Sequence, residues 1–394
     1  MEQQNIIIEG IHYATKKVIR IGIRNGMVFS LADIDEKYWP GENAREKLPV
    51  IAPGLVDLQI NGFLGVDFNS PGLKPEQISS LSSELLKHGV TRYFPTIITG
   101  SRKRISGLLG TFAAVFKEKN LASQMIGGIH LEGPFISPGD GPRGAHPKRY
   151  CTDPDISLVK KWQEEANGKI RLITLAPELP GCLPLIEACV SMGIIVAIGH
   201  TSGNSRDIRS AVEAGATLST HLGNGSHAML PRHPNYIWDQ LAEDRLYATM
   251  IADKFHLPEP VIRVFIRAKR DRAILISDGM PFLGMEPGVY ESPAAGKIIL
   301  SEEGRLHKAG DPGILAGSAA TLLEGIERIR DIEDFVTAWD MGSRHPAKLL
   351  NHSSSHGLQV GAPADLVLLD PDLSSLKVLQ AYKNGVNYSF GKSF

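Results

Sequence analysis

At 394 residues, with 42% hydrophobic and 22% charged content, the chain can bury at least one large core and is too apolar to be intrinsically disordered. Its 42 basic and 43 acidic residues leave a formal charge of −1, which gives no general attraction to nucleic acid or to an anionic membrane. No apolar run reaches the about 20 residues of a membrane span, Met1-Glu-Gln-Gln-Asn5 lacks a secretory layout, and Cys151, Cys182 and Cys189 have no CxxC spacing, so a soluble cytoplasmic protein without a disulfide frame is expected.

Residues 5–8 and 17–23 read as short strands, with Arg24-Asn-Gly-Met27 as a hairpin-type turn. From Gly54 onward, apolar β-runs alternate with amphipathic helical stretches. The β-runs fall at 54–60, 91–98, 126–131, 170–175, 194–198, 216–220, 247–252 and 273–277, with helical stretches such as 75–86 and 205–214 between them. Eight βα alternations in about 250 residues predict an α/β fold of the (β/α)8 TIM-barrel type. A last helical stretch is expected near 319–329, and the tail turns strand-like again at 364–370 and 378–382. Neither end has enough strands for a stable sheet of its own. Both termini, 1–54 and 353–394, are therefore expected to form one small β-sandwich, with a metal-dependent hydrolase barrel at 55–352 inserted between them.

Polar residues gather where the predicted barrel strands end. His130 and Glu132, in His130-Leu-Glu-Gly-Pro-Phe135, stand two residues apart on a strand and so face one side. Strand one ends at Gln59 and Asn61, strand four at Glu178, strand five at His200, strand six at His221, strand seven at His256 and strand eight at Asp278. Active sites of such barrels lie at the C-terminal ends of the strands. Singly, each residue has a plainer reading: a hydrogen-bonded structural histidine, a helix-capping Glu178, a turn at Asp278 before Gly279. Recurrence at one end of successive strands is what favours a site. Imidazole and carboxylate ligands with an open position suit a catalytic zinc-type ion that acidifies bound water. Glu132, His200 and His221 supply three such ligands, and Asp278 is the natural general base. The sequence contains no GxSxG elbow, P-loop, HExxH or dinucleotide glycine pattern.

Nearly the whole chain is spanned by a longer set of segments: Pro53-Gly-Leu-Val-Asp-Leu-Gln-Ile-Asn-Gly62, His130-Leu-Glu-Gly-Pro-Phe135, Gly144-Ala-His146, Ala176-Pro-Glu178, Gly199-His-Thr201, Thr220-His-Leu222, Ser277-Asp-Gly-Met280 and Leu315-Ala-Gly-Ser318. In this order they resemble the amidohydrolase superfamily and, within it, the N-acetylglucosamine-6-phosphate deacetylase family. The resemblance implies hydrolysis of the acetamide of N-acetylglucosamine 6-phosphate, with Glu132, His200 and His221 binding metal and Asp278 as catalytic acid/base. Many amidohydrolases open with His-x-His and hold two metals. Gln59 and Asn61 stand at those positions here, which implies one divalent ion per subunit, with Gln59 holding the water. Zinc is favoured by ligand type, and iron, manganese or cobalt are compatible. His130 is then left to orient Glu132 or neighbouring groups from behind.

For the substrate, the resemblance places His146 near the acetyl group, gives Asn224 and Gly225 backbone contacts to the phosphate, and makes His256 a second substrate contact. It implies a homodimer in which Arg232 reaches the neighbouring active site. The family usually has Asn-Ala-Met after the sixth-strand histidine and Arg-Glu-Pro-Gly at the arginine. This chain has Gly223-Asn-Gly-Ser-His-Ala-Met229 and Arg232-His-Pro-Asn235. Because that segment contacts the phosphate, deacetylation of a different or unphosphorylated acetamido sugar, or another amidohydrolase reaction, stays open. His227 and His233 either reshape the sugar pocket or are solvated loop residues. A non-catalytic scaffold is the alternative of another class; the missing His-x-His suggests it, and the intact Glu132, His200, His221 and Asp278 oppose it.

Overall fold

The computed structural model describes residues 5–35, 45–292 and 296–390. The outermost residues of the two expected terminal segments, 1–4 and 391–394, and the stretch 36–44 lie outside the described residues.

Eight strands lie side by side in chain order: Leu55–Ile60, Val90–Ile98, Ile129–Glu132, Ile170–Leu175, Ile195–Ile198, Leu218–Ser219, Tyr247–Ile251 and Ala273–Ile276. Neighbours in this row pair in parallel. The row closes at its C-terminal ends, where the N–H of Asp278 donates to the carbonyl of Gln59 at 3.0 Å and those of Asn61 and Gly62 reach Gly279 at 2.7 and 3.0 Å. This is the predicted TIM barrel, and each expected β-run contributes one of its strands.

Crossover helices cover the outside for the reason their spacing suggested. In Ser205–Glu213 the buried residues are Ile208, Ala211 and Val212, three and four apart, while Arg206 and Arg209 face out. Asn204 starts this helix by accepting the N–H groups of Arg206 and Asp207.

Inside the barrel the strands' inward residues form layers, as period-two alternation requires. Low in the barrel these are apolar, among them Val56, Leu58, Phe94, Leu172, Ile274 and Ile276. Above them lies a polar layer in which Thr96, His130, Thr174 and Thr220 are linked: His130 Nε2 to Thr174 at 2.8 Å, His130 Nδ1 to Thr96 at 3.4 Å, and Thr174 to Thr220 at 2.7 Å. Higher still stand Glu132, His200, His221 and Asp278.

The two ends of the chain build one seven-stranded sheet, in the order Val386–Ser389, Val378–Lys383, Leu366–Leu369, Val50–Pro53, Ile6–His12, Val18–Arg24, Met27–Asp33. They meet where Leu366–Leu369 pairs antiparallel with Val50–Pro53. Asn25 and Gly26, both at positive φ, make the expected hairpin turn. The sheet has a core of its own that includes Ile8, Ile21, Ile51, Leu366 and Tyr382. Trp339 ties it to the barrel, its Nε1 donating to the carbonyl of Pro53 at 2.9 Å. The sequence predicts no strand between the eighth barrel strand and the last helix. In fact a four-stranded antiparallel sheet lies between them: Gly288–Ser292, Gly296–Leu300, Leu306–Lys308 and Asp311–Leu315. Its strands are short and its core small (Phe282, Ile298, Leu300, Leu306 and Ala316), so its alternation is faint in the sequence. Among the described residues no helix is long and apolar enough to cross a membrane.

Candidate active site

A cavity of about 620 Å³ opens over the C-terminal ends of the barrel strands, large enough for a phosphorylated sugar. At its floor one carboxylate oxygen and two imidazole nitrogens converge. Glu132 Oε1 lies 3.2 Å from His200 Nε2 and 3.0 Å from His221 Nε2, and those two nitrogens are 3.1 Å apart. All three residues are buried. The Nδ1 of His200 faces the carbonyl of Pro142 at 2.7 Å, so it carries the ring proton and leaves Nε2 as a free lone pair. Burial alone would raise the carboxyl pKa of Glu132; the adjacent imidazoles of His200 and His221 outweigh it and hold the group well below the usual range. One anionic oxygen and two inward imidazole nitrogens, crowded this closely, are a donor set that fits a divalent cation. Gly225 keeps the approach open: it sits at φ +55°, and a Cβ there would lie 2.7 Å from His200 Nδ1.

Asp278 lies beside this cluster. Its Oδ1 accepts the side-chain amides of Asn61 at 2.8 Å and Gln59 at 3.1 Å, and Gln59 Nε2 also lies 2.9 Å from Glu132 Oε1. Burial, followed by the nearby charge of Glu132, raises its pKa to about 6. His200, His221 and Asp278 share a further property: all three have positive φ, at 51°, 29° and 45°. A non-glycine residue in that region costs on the order of 1–3 kcal/mol and persists where its surroundings impose it. The backbone turns sharply at three strand ends and throws these side chains inward.

His146 lines the cavity against the cluster, its ring centroid 4.4 Å from that of His200 and its Nε2 3.9 Å from Glu132 Oε2. Burial and the neighbouring His200 lower its pKa to about 3, so the ring is neutral. His256, Asn224 and Gly225 also line the cavity. The backbone N–H of Asn224 is already donated to the carbonyl of His221 at 2.9 Å, and it is the side-chain Nδ2 that is buried without a partner. His130 faces inward on the same strand as Glu132 but bonds to Thr174 and Thr96 one layer below. Arg232 and His233 are exposed and do not line the cavity. Glu178 turns to the next loop, accepting the hydroxyl of Thr201 at 2.5 Å and the N–H of Ser202 at 2.6 Å.

Sequence reasoning missed two supporting features and gave no role to a third. Asp253 is buried and holds His256, Oδ2 to Nδ1 at 2.7 Å and Oδ1 to its N–H at 2.9 Å. The Asp-x-x-His spacing at 253–256 was a usable signal for this turn. Arg143 donates to the carbonyl of His146 at 2.8 Å and to Asp140, fixing the loop that carries His146. Residues 313–317, at the end of the inserted sheet, form one wall of the cavity.

Residues 50–389 match the amidohydrolase family, whose members are metal-dependent. The N-acetylglucosamine-6-phosphate deacetylase of Bacillus subtilis (strain 168) is 32% identical over 382 residues, 94% of each chain. The Homo sapiens protein of that name is 33% identical over 356 residues, covering 85% of this chain and 82% of its own. Among solved structures, a mutant N-acetyl-D-glucosamine-6-phosphate deacetylase from Mycobacterium smegmatis in complex with N-acetyl-D-glucosamine-6-phosphate superposes with a TM-score of 0.85 at 26% identity, over 98% of this chain and 99% of that one. A 5-methylcytosine deaminase from Klebsiella pneumoniae, 12% identical with a TM-score of 0.59, shares the fold alone. This chain therefore belongs to the amidohydrolase family, in the branch of the N-acetylglucosamine-6-phosphate deacetylases.

Proposed function

We propose that this chain is a metal-dependent amide hydrolase that converts N-acetylglucosamine 6-phosphate to glucosamine 6-phosphate and acetate. The observation that carries the reading is the convergence of Glu132, His200 and His221 beside Asp278 at the floor of one cavity. Glu132, His200 and His221 hold one divalent ion, zinc by ligand type. When bound, the ion supplies Lewis-acid polarisation of the acetyl carbonyl and acidifies water at neutral pH. A single ion follows from Gln59 and Asn61, whose amides bind metal poorly and are already committed to Glu132 and Asp278.

Asp278 does the proton work. With Oδ1 occupied by two amide donors, Oδ2 is the oxygen left to take the proton of the attacking water and return it to the departing amine nitrogen. Gln59, which touches both carboxylates, keeps Asp278 aimed at the same point as the ligand cluster and helps seat the water. His146, neutral and buried, offers a ring N–H to the acetyl oxygen as negative charge develops on it. His256, aimed by Asp253, and the loop at 224–225 bind the remainder of the sugar phosphate. In a homodimer the exposed Arg232 would serve the neighbouring cavity, where a guanidinium suits a phosphate. A cytoplasmic location agrees with a phosphorylated sugar as substrate.

Acetate release from N-acetylglucosamine 6-phosphate, compared with release from N-acetylglucosamine and from other phosphorylated N-acetylhexosamines, tests the reading. A clear preference for the first is expected. No acetate from any of them would sink it, and a preference for an unphosphorylated sugar would restrict it to the deacetylation.

A further inference from the structure

A 6-phosphate stands across the sugar ring from the 2-acetamido group, so it needs hydrogen-bond donors at the side of the cavity away from Glu132, His200 and His221. The expected donors there are fewer than the family resemblance implies. The N–H of Asn224 is spent on the carbonyl of His221. On the same loop, where the family pattern reads Asn-Ala-Met, this chain carries Asn224-Gly-Ser-His227. His227 lines the cavity and is only partly exposed.

Its ring is held. The hydroxyl of Tyr236 lies 3.0 Å from His227 Nδ1, and the same oxygen accepts the backbone N–H of His227 at 2.9 Å. A proton given by the Tyr236 hydroxyl to Nδ1 would select the tautomer that carries its hydrogen on Nε2. Tyr236 is itself 4% exposed and is the first residue of the helix Tyr236–Ala242, whose cap Asn235 accepts the N–H groups of Ile237 and Trp238. From the other side the loop presses on Gly141, at φ +90°, where a Cβ would come within 3.0 Å of His227 Cα. A solvated loop histidine has neither a buried partner nor backbone packed against it.

We propose that His227 is a substrate-binding residue of this enzyme, donating its Nε2–H to the 6-phosphate, and that Tyr236 is the positioning residue that fixes its tautomer. The proposal rests on the phosphorylated-sugar reading above. It assigns to this loop, through a side chain, a contact that the family pattern assigns to backbone.

The test is kcat/KM of the metal-loaded full chain for N-acetylglucosamine 6-phosphate and for N-acetylglucosamine, in wild type, H227N, H227Q and Y236F. Asparagine can still pair with Tyr236 but does not reach the position of Nε2; the glutamine amide does. The ratio of the two kcat/KM values should fall about tenfold or more in H227N, the size of one hydrogen bond to a charged group, with the loss carried by KM of the phosphorylated sugar. H227Q should restore the ratio to within about threefold of wild type, and Y236F should fall between. A ratio unmoved in H227N, with both substrates slowed alike, overturns the proposal and leaves the deacetylase reading standing. A wild type with no preference for the phosphorylated sugar overturns both. Should melting show that H227N does not fold, the ratio in Y236F decides by the same criterion.

Discussion

Replacing Asp278 by asparagine tests the division of labour in the site more sharply than any other single change. The substitution is nearly isosteric, and its retained oxygen can still accept the amides of Asn61 and Gln59, now at 2.8 and 3.1 Å. The barrel closure also survives, because it uses the backbone N–H of Asp278, donated to the carbonyl of Gln59. What disappears is the second oxygen, the one assigned to carry the proton. General acid–base catalysis contributes about 10²–10⁴ in rate, and this group is asked to act in both directions, so a loss near the upper end is expected. A factor of 10⁴ corresponds to about 5.4 kcal/mol of transition-state stabilisation. The assay is acetate release alongside metal analysis of the same preparation. The expected variant is folded, retains its metal and turns over about 10⁴-fold more slowly. A rate within about tenfold of wild type at full metal content would refute the role. Loss of metal together with rate would make Asp278 a ligand instead. The pH profile gives an independent check. The working form of Asp278 is the carboxylate, whose pKa burial and Glu132 raise to about 6, so activity should fall as pH drops through that region. A bound cation pulls the value down, which puts the acidic limb at or below pH 6, and D278N should lack it.

Three further outcomes are expected. Metal analysis should return one divalent ion per chain, with activity lost on chelation and regained on adding zinc; two tightly bound ions would contradict the roles given to Gln59 and Asn61. Asp253→Ala removes the buried carboxylate that aims His256, and kcat/KM should fall by up to about a hundredfold with metal content unchanged. An unaltered kcat/KM would remove His256 from the substrate contacts. In the terminal sheet, Lys383 and Asp365 form a buried ion pair at 2.6 Å, and Asp365 also accepts the N–H of Asn384 at 2.8 Å. Asp365→Ala strands the ammonium and should cost about 3–5 kcal/mol in denaturant unfolding, whereas D365L/K383M should recover much of that loss. Equal loss in both variants would assign the stabilisation to the Asn384 contact rather than to the charge pair.

The barrel was readable because its strands report themselves as apolar runs, all but the second with a polar residue at or near the run's end. Leu172 and Thr174 illustrate this: both face inward from the strand Ile170–Leu175, one in the apolar layer and one in the polar layer above it. The inserted sheet at 288–315 reports itself neither way, since its strands are short and its apolar residues serve a small core. Asp253 was passed over for a different reason. Its effect is local to one turn, and a pattern search for metal ligands asks what a side chain binds, not what aims its neighbour.

His130 shows where side-chain periodicity stops being informative. Spacing places His130 and Glu132 on one face of a strand, which the structure bears out, but a face is not a depth. About 6.6 Å of strand rise separates residues i and i+2, and in a barrel that distance is a whole layer. Glu132 therefore reaches the ligand cluster while His130 bonds to Thr174 and Thr96 beneath it. Burial lowers its pKa to about 4, so it remains a neutral member of the threonine layer at working pH. The missing information is in the backbone. His200, His221 and Asp278 reach the level of Glu132 because each sits at positive φ just past its strand, a turn that ordinary residues avoid and that no spacing rule anticipates. The sequence named the groups of the site; the left-handed turns at three strand ends bring them to one height.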